Sequence, residues 1–437
     1  MIYGGDGLAR LPADAHGRGK AAFLPFVLDG EEIEAAVTEE KPGYVRARAE
    51  AVVRASPHRV QPPCPYFGGC GGCQYQHATY EHQFEIKKDI LRETLRRFAK
   101  LELPCEIEVH PSPPWNYRNR SRLQLRVHPD FAAGYFKVGS HELMAVEQCP
   151  ISSPLINRGI AALWETGRAG KAAAGVREIE FFANADDTKL QIELSCASEA
   201  RRAAVRAWTE ELRAALPEIT GVVAFRAAQA GGPPTQEQLL SLGEPSLTYE
   251  TLLASFRVSA GSFFQTNRYL TDELVKLVTD GRRGDLALDL YAGVGLFSTA
   301  LARDFHHIVA VESSQTSAGD LAYNLSSKAE VIQASSEQYL SRSGREGRAG
   351  KGKVLIHNIH TPDLAVVDPP RSGLGERVAR MLANLGAPRL TYVSCDPATL
   401  ARDLVPLLAG GYHVEQAHLV DLFPQTYHLE SVLHLVR

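Results

Sequence analysis

Leu286-Ala-Leu-Asp-Leu-Tyr-Ala-Gly-Val-Gly-Leu-Phe297 reads as a buried strand that runs into a Gly-x-Gly turn and then a helix. Glycines at 293 and 295 let backbone approach a ligand closely, and the helix start offers unpaired N–H groups. A Gly-x-Gly turn alone is equally a tight structural bend, so the next strand matters. His307-Ile-Val-Ala-Val-Glu312 ends in an acid, and a carboxylate at that strand end can accept both hydroxyls of a ribose. The third glycine of the dinucleotide fingerprint is missing, since Thr299 stands where it would fall. That points away from NAD and toward another adenosyl ligand. Further apolar runs at 364–368 and 390–394, each followed by a loop and a helix-like segment, extend the pattern. Alternating strand and helix signals from about residue 256 onward predict an α/β domain with a parallel, doubly wound sheet.

In such sheets ligands sit beyond the carboxyl ends of the strands. The run at 364–368 leads into Asp368-Pro-Pro-Arg-Ser-Gly373, and the run at 390–394 into Ser394-Cys-Asp-Pro397. Asp368 and Cys395 are thus expected on the same rim as Gly293, Gly295 and Glu312. A lone cysteine is commonly a small buried hydrophobe, but its place at a strand end beside a cofactor rim marks Cys395 as a candidate nucleophile. The terminal strand, Leu429 to Val436, is reached through Asp421-Leu-Phe-Pro-Gln-Thr-Tyr-His-Leu-Glu430. Glu430 is awkward to bury without a role; the competing reading is an exposed face of an edge strand.

Working toward the N-terminus, residues 116–255 mix strand-like runs at 121–127, 178–183 and 189–196 with an Ala/Arg-rich helix near 198–215, and Gly231-Gly-Pro-Pro234 marks a loop. Residues 79–99 carry helical periodicity in Phe84, Ile86, Ile90, Leu91, Leu95 and Phe98; this helix can pack on the catalytic domain. Short strands at 23–28, 34–37 and 45–53 suit a small β-barrel. The expected division is 1–57, 58–255 and 256–437. Residues 341–353 are low in complexity and read as a mobile basic loop.

Seven cysteines are present, an odd number that argues against a disulfide framework. Cys64, Cys70 and Cys73 cluster in a Gly/Pro-rich segment, and Cys149 lies in Glu147-Gln-Cys-Pro150. The four could hold zinc or an iron–sulfur cluster, although the wide gap from Cys64 to Cys70 disfavours paired zinc knuckles. A radical S-adenosylmethionine enzyme would show a C-x3-C-x2-C triplet, and here the first spacing is five. Cys105 and Cys196 read as ordinary buried cysteines. The net charge of −4 gives no global sign of nucleic-acid binding, but the relevant field is local. In Trp115-Asn-Tyr-Arg-Asn-Arg-Ser-Arg-Leu-Gln-Leu-Arg126 a strand would put Arg118, Arg120, Arg122 and Arg126 on one face. Such a stripe can contact phosphates, with Tyr117 or Trp115 stacking on a base, or it can be an internally paired face. The first thirty residues contain no signal-peptide-like run, and no stretch of ~18 apolar residues occurs. A cytoplasmic monomer without membrane contact is expected.

Ser262-Phe-Phe-Gln-Thr-Asn267, Asp289-Leu-Tyr-Ala-Gly-Val-Gly295, Asp368-Pro-Pro-Arg-Ser-Gly373, Ser394-Cys-Asp-Pro397 and Phe423-Pro-Gln-Thr-Tyr-His-Leu-Glu430 together resemble, in order, the motifs of the RNA uracil-5-methyltransferases. The resemblance spans nearly the whole chain. It implies a Rossmann-like class I S-adenosylmethionine methyltransferase domain, an N-terminal OB-like β-barrel similar to the RNA-binding TRAM domain, and a small α+β central domain. It implies Cys395 as nucleophile and Glu430 as base, with Gln265, Tyr291, Glu312 and Asp368 holding S-adenosylmethionine. It also implies a 4Fe-4S cluster on Cys64, Cys70, Cys73 and Cys149. Leu296 departs from members that place a polar Asn there to touch the cofactor. The implied substrate is RNA, with 23S ribosomal RNA favoured over transfer RNA. An iron–sulfur RNA-binding protein without activity is the alternative from another class, and the intact Cys395, Glu430 and Asp368 count against it. An amino-group methyltransferase would need no cysteine and often carries an aromatic where Arg371 stands.

Overall fold

The computed structural model describes residues 1–12, 19–226, 237–325, 329–342 and 361–437. The loop at 231–234 and most of the basic segment at 341–353 lie outside those residues.

The long apolar runs form one eight-stranded sheet. Its order is Ala329–Gln333, Phe305–Glu312, Gly284–Leu290, Leu364–Val367, Arg389–Ser394, Glu430–Val436, His413–Val420 and Ile107–His110. Both faces are covered, which explains why the strands read as near-continuous apolar runs. Leu288, Leu290, Val309 and Val311 point into one layer with Ile86, Ile90 and Leu91 of the Tyr80–Thr94 helix. Ala287, Ile308, Ala310 and Val366 point into the other, against Leu274, Val275 and Val278 of the Thr271–Thr279 helix.

Two features correct the sequence reading. The sheet is mixed rather than parallel, because Glu430–Val436 runs antiparallel to both of its neighbours. The short link from His413–Val420 allows only a return in the opposite direction. The eighth strand, Ile107–His110, comes from the region assigned to the central unit and pairs in parallel with His413–Val420. The helix expected at 79–99 is regular over Tyr80–Thr94 and widens into a π-turn over Leu95–Ala99, leaving Phe98 exposed.

A seven-stranded sheet spans Arg120 to Gly243, with the Pro154–Arg168 and Arg202–Ala215 helices packed on it through Trp164, Trp208 and Leu212. The N-terminal strands Asp6–Arg10, Ala21–Pro25, Glu32–Glu40 and Tyr44–Arg54 form a four-stranded sheet with Asp6–Arg10 and Glu32–Glu40 at its ends. Among the described residues no helix is long and apolar enough to cross a membrane.

One interior contact joins the two ends of the chain. Lys87 Nζ donates to Asp421 Oδ1 at 2.6 Å and to the Phe423 carbonyl at 3.0 Å, with both charged side chains at 1% exposure or less. Removing one partner of a buried pair strands the other charge, whereas replacing both with apolar groups can be nearly neutral. Lys87→Met should therefore cost about 3–5 kcal/mol in urea denaturation, and the Lys87→Met/Asp421→Leu double variant should recover most of it. A Lys87→Met midpoint equal to that of the parent would show that the pair holds nothing.

Candidate functional site

The rim at the carboxyl ends of the central strands is built from backbone in unusual conformations. Tyr291 has φ 63°, a left-handed value rare for a side chain of that size, and Gly295 at φ 96° starts the Leu296–Leu301 helix. A Cβ at Gly295 would stand 2.9 Å from Leu321 Cδ1, so only glycine fits. Glu312 folds back over the turn: Oε2 accepts from Gly293 N at 2.9 Å and Oε1 from Ser314 N at 2.7 Å. Next to it lies a hollow of about 250 Å³ walled by Tyr291, Val311, Ala334, Ser335, Pro370 and Leu374. Ser335 follows the Ala329–Gln333 strand, which sequence reasoning did not single out. Five residues of mixed polarity carry too little periodicity to identify as a strand.

Gln265 is buried in the 262–267 segment. Asp320 anchors that segment through Ser262 Oγ at 2.7 Å, and Asn267 Nδ2 donates to Ser112 Oγ and to the Leu422 carbonyl. Below the rim, Asp289 accepts from Ser298 Oγ, and its Oδ1 has no partner. Burial, above all, pushes Asp289 up to about 7, and burial with repulsion from Asp289 pushes Asp368 to about 7.

Cys395 and Glu430 share the next stretch of rim. Cys395 lies just after the Arg389–Ser394 strand, and Asp396 caps the Pro397–Ala409 helix by accepting from Ala398 N and Thr399 N. Burial pushes the Cys395 thiol up to about 12, with the Glu430 and Asp368 carboxyls adding to the shift and Arg371 opposing it. Glu430 is raised well above the carboxylate range by burial and then by Asp368, again against Arg371. The edge-strand reading of Glu430 fails: its strand is interior and the residue is 6% exposed. Charge on any one of these groups disfavours ionisation of its neighbours, and Arg371 offsets part of that repulsion.

Loops that carry these groups are braced from several sides. Gly373, at φ 71°, leaves room for Asp403, whose Oδ2 accepts from Leu374 N at 2.6 Å and from Tyr392 Oη at 2.8 Å. Gln83 and Gln425 exchange hydrogen bonds, each 3.0 Å. Tyr3, missed in the sequence, donates to the Cys395 carbonyl at 3.3 Å and packs edge-on against Tyr427. Its signal was absent because a lone tyrosine near a terminus has no motif around it.

Cys64, Cys70, Cys73 and Cys149 line one pocket together with Arg118 and Tyr135. Arg118 Nε and Tyr135 Oη are buried there without partners. Among the described residues, the only three His, Cys, Asp or Glu ligand atoms within 4.8 Å of one another belong to Glu108, His110 and His418. No three cysteine sulfurs come so close, whereas a tetrahedral zinc–thiolate site sets them about 3.8 Å apart.

The arginine stripe is not a free face. Arg118 points into the cysteine pocket. Arg120 pairs with Glu180 at 2.6 Å and caps the Ser262 carbonyl, while Arg122 meets Glu180 and approaches Glu178 and Glu193. Tyr117 is fully buried and donates to the Pro424 carbonyl, so it cannot stack on a base. Acids on the neighbouring strands, invisible in a linear reading, pair with Arg120 and Arg122, while Arg126 stays exposed and donates to the Asp130 carbonyl. Cys196 is buried and Cys105 half-buried.

A sequence model described as tRNA (Uracil-5-)-methyltransferase matches residues 79–437. An uncharacterized RNA methyltransferase of Aquifex aeolicus is 32% identical over 99% of this chain and 96% of its own. A 23S rRNA (uracil(1939)-C(5))-methyltransferase of Pseudomonas fluorescens is 32% identical over 97% of this chain and 90% of its own. The crystal structure of the Pyrococcus abyssi tRNA (uracil-54, C5)-methyltransferase with S-adenosyl-L-homocysteine superimposes with a TM-score of 0.72 at 24% identity, over 99% of this chain and 100% of that one. The likeness is one of fold, and the eight-stranded unit is a class I methyltransferase fold.

The raised thiol makes a kinetic prediction for the ligand-free protein. Only the thiolate alkylates, so iodoacetamide labelling of Cys395, followed by peptide mass mapping, should be slow at pH 7. It should rise about tenfold per pH unit through pH 10. A plateau below pH 9 would contradict the raised value.

Proposed function

The chain belongs to the tRNA (Uracil-5-)-methyltransferase family, and from that premise we propose how its residues divide the work. It is an S-adenosylmethionine-dependent RNA uracil-5-methyltransferase. Cys395 is the nucleophile and Glu430 the base; Gln265, Tyr291, Gly293, Gly295, Glu312 and Asp368 hold the methyl donor. One observation carries the reading: Cys395 follows the Arg389–Ser394 strand and Glu430 opens the Glu430–Val436 strand paired with it, so both stand on the rim that holds the Gly-x-Gly turn.

Carbon 5 of uracil is a poor nucleophile until the ring is activated. Cys395 gives up its thiol proton to water, and its Sγ thiolate adds to carbon 6, which turns the ring into an enolate. S-adenosylmethionine supplies the methyl group that carbon 5 then takes. Glu430 removes the proton on carbon 5; that electron pair restores the ring double bond, and the sulfur–carbon 6 bond breaks to release Cys395. Burial biases the thiol and Glu430 toward their protonated forms in the free protein. A cationic ligand beside Asp368, Glu430 and Cys395 favours the charged form of all three, so ionisation follows occupancy of the rim. The target base must leave its stack, at a cost of a few kcal/mol that is smallest in a loop.

Cys64, Cys70, Cys73 and Cys149 hold a 4Fe-4S cluster. The shared pocket and the buried, unpartnered Arg118 Nε, whose guanidinium would offset thiolate charge, support this. Such a group supplies a tie between distant parts of the chain and lies outside the reaction steps. The N-terminal sheet serves as the TRAM-like RNA-binding element. The substrate is 23S ribosomal RNA, supported by relatives at 32% identity. Mapping methyluridine in RNA from a deletion strain tests this; loss from transfer RNA alone would overturn it.

Cys395→Ala should abolish both methylation and any covalent adduct with RNA. Glu430→Gln serves a later step and should accumulate a denaturation-resistant protein–RNA complex carrying label from the methyl donor. Normal turnover in Glu430→Gln, or inactivity without labelled adduct, would refute the base assignment. Anaerobically purified protein should be brown with about four irons per chain; stoichiometric zinc in place of iron would sink the cluster.

A further inference from the structure

We infer that Glu108, His110 and His418 form a second metal site, fit for a zinc ion, that fastens the Ile107–His110 strand to the catalytic sheet. Strand geometry brings the three together. Glu108 and His110 are two residues apart and so project from the same face, and the parallel register sets His418 directly opposite Glu108. His110 Nε2 lies 3.1 Å from His418 Nδ1, and the Glu108 carboxylate stands 3.4 Å from His418 Nδ1 and 4.0 Å from His110 Nε2. Zinc bound at ~2.0–2.1 Å to nitrogen and oxygen in a tetrahedron spaces its ligand atoms by about 3.3 Å. The observed triangle needs only a small turn of the exposed Glu108 to match.

Surroundings of the triangle favour an ion. His110 Nδ1 meets Glu273 Oε1 at 3.2 Å, which is the carboxylate contact that orients a metal-bound histidine and leaves its Nε2 lone pair free. Glu108 and Glu273 supply two negative charges against a dication, with the Arg282 guanidinium, near enough to act on His418, opposing them. Two histidines and one glutamate leave a fourth position for water. The strand gains most from such a tie, since it is four residues long, at the edge of its sheet, and paired on one side only. Nothing here touches the cysteine pocket or the methyl-transfer rim. Without a metal, the same short contacts would be a proton shared between His110 and His418.

The test uses the full chain, stripped with a chelator and titrated with Zn²⁺, and with Co²⁺ as an absorbing probe. The parent protein should bind one equivalent beyond any taken by the cysteines, give the Co²⁺ spectrum of tetrahedral nitrogen–oxygen coordination, and gain several degrees in Tm. Glu108 is 67% exposed at its side chain, so Glu108→Gln should fold normally and lose that equivalent and that gain. Glu273→Gln should keep the site with affinity lowered about tenfold or more. Equal metal binding and equal Tm gain in the parent, Glu108→Gln and His110→Gln would overturn the proposal. So would a parent that takes up no metal beyond its cysteines.

Discussion

The catalytic rim rests on a charge pair that water cannot reach. Lys87 and Asp421 meet 334 positions apart in sequence, and Tyr80 Oη adds a hydrogen bond to the same carboxylate at 2.9 Å. A buried pair of this kind is weak evidence for stability, because desolvation consumes much of its attraction. Its value here is register. Asp421 opens the loop that delivers Glu430, and the second contact from Lys87 to the Phe423 carbonyl fixes the start of that loop. A helix from the first quarter of the chain thus sets the height of Glu430 against Cys395.

That precision serves an electrostatically unfavourable arrangement. Burial and neighbouring carboxyls oppose ionisation of Cys395 and Glu430, and the Arg371 cation acts against that shift at both. Arg371 itself leans on His428 at 3.3 Å, and that contact and burial hold the imidazole neutral. A site charged at rest would attract cations and water without discrimination. Burial raises the Cys395 thiol and so keeps its sulfur quiet in the free protein.

Much of this was legible in the linear chain. Long apolar runs ending in Gly-x-Gly, Glu312, Asp368 and Cys395 mark the rim because parallel strands expose their carboxyl ends together. What stayed hidden depends on contacts between distant segments. Ile107–His110 is too short to stand out, and only its register against His413–Val420 makes it a catalytic-sheet strand. The arginines at 120 and 122 looked like an RNA face because Glu178, Glu180 and Glu193 lie on other strands. Tyr3 reaches Cys395 only after the N-terminal sheet has docked.

The helix Tyr80–Thr94 has a further consequence for how the polypeptide comes into being. Ile86, Ile90 and Leu91 share their apolar cluster with Leu28 and Tyr75 near the N-terminus, but most of its members lie between residues 288 and 435. A ribosome adding roughly 5–20 residues per second leaves that oily ridge exposed for tens of seconds before its partner emerges. Vectorial synthesis therefore runs against the architecture, and the nascent chain must be shielded during the interval. The same interlock explains why the methyltransferase half is not a portable cassette: severed from the first hundred or so residues, it would lose an edge strand, a covering helix and the brace beneath its base.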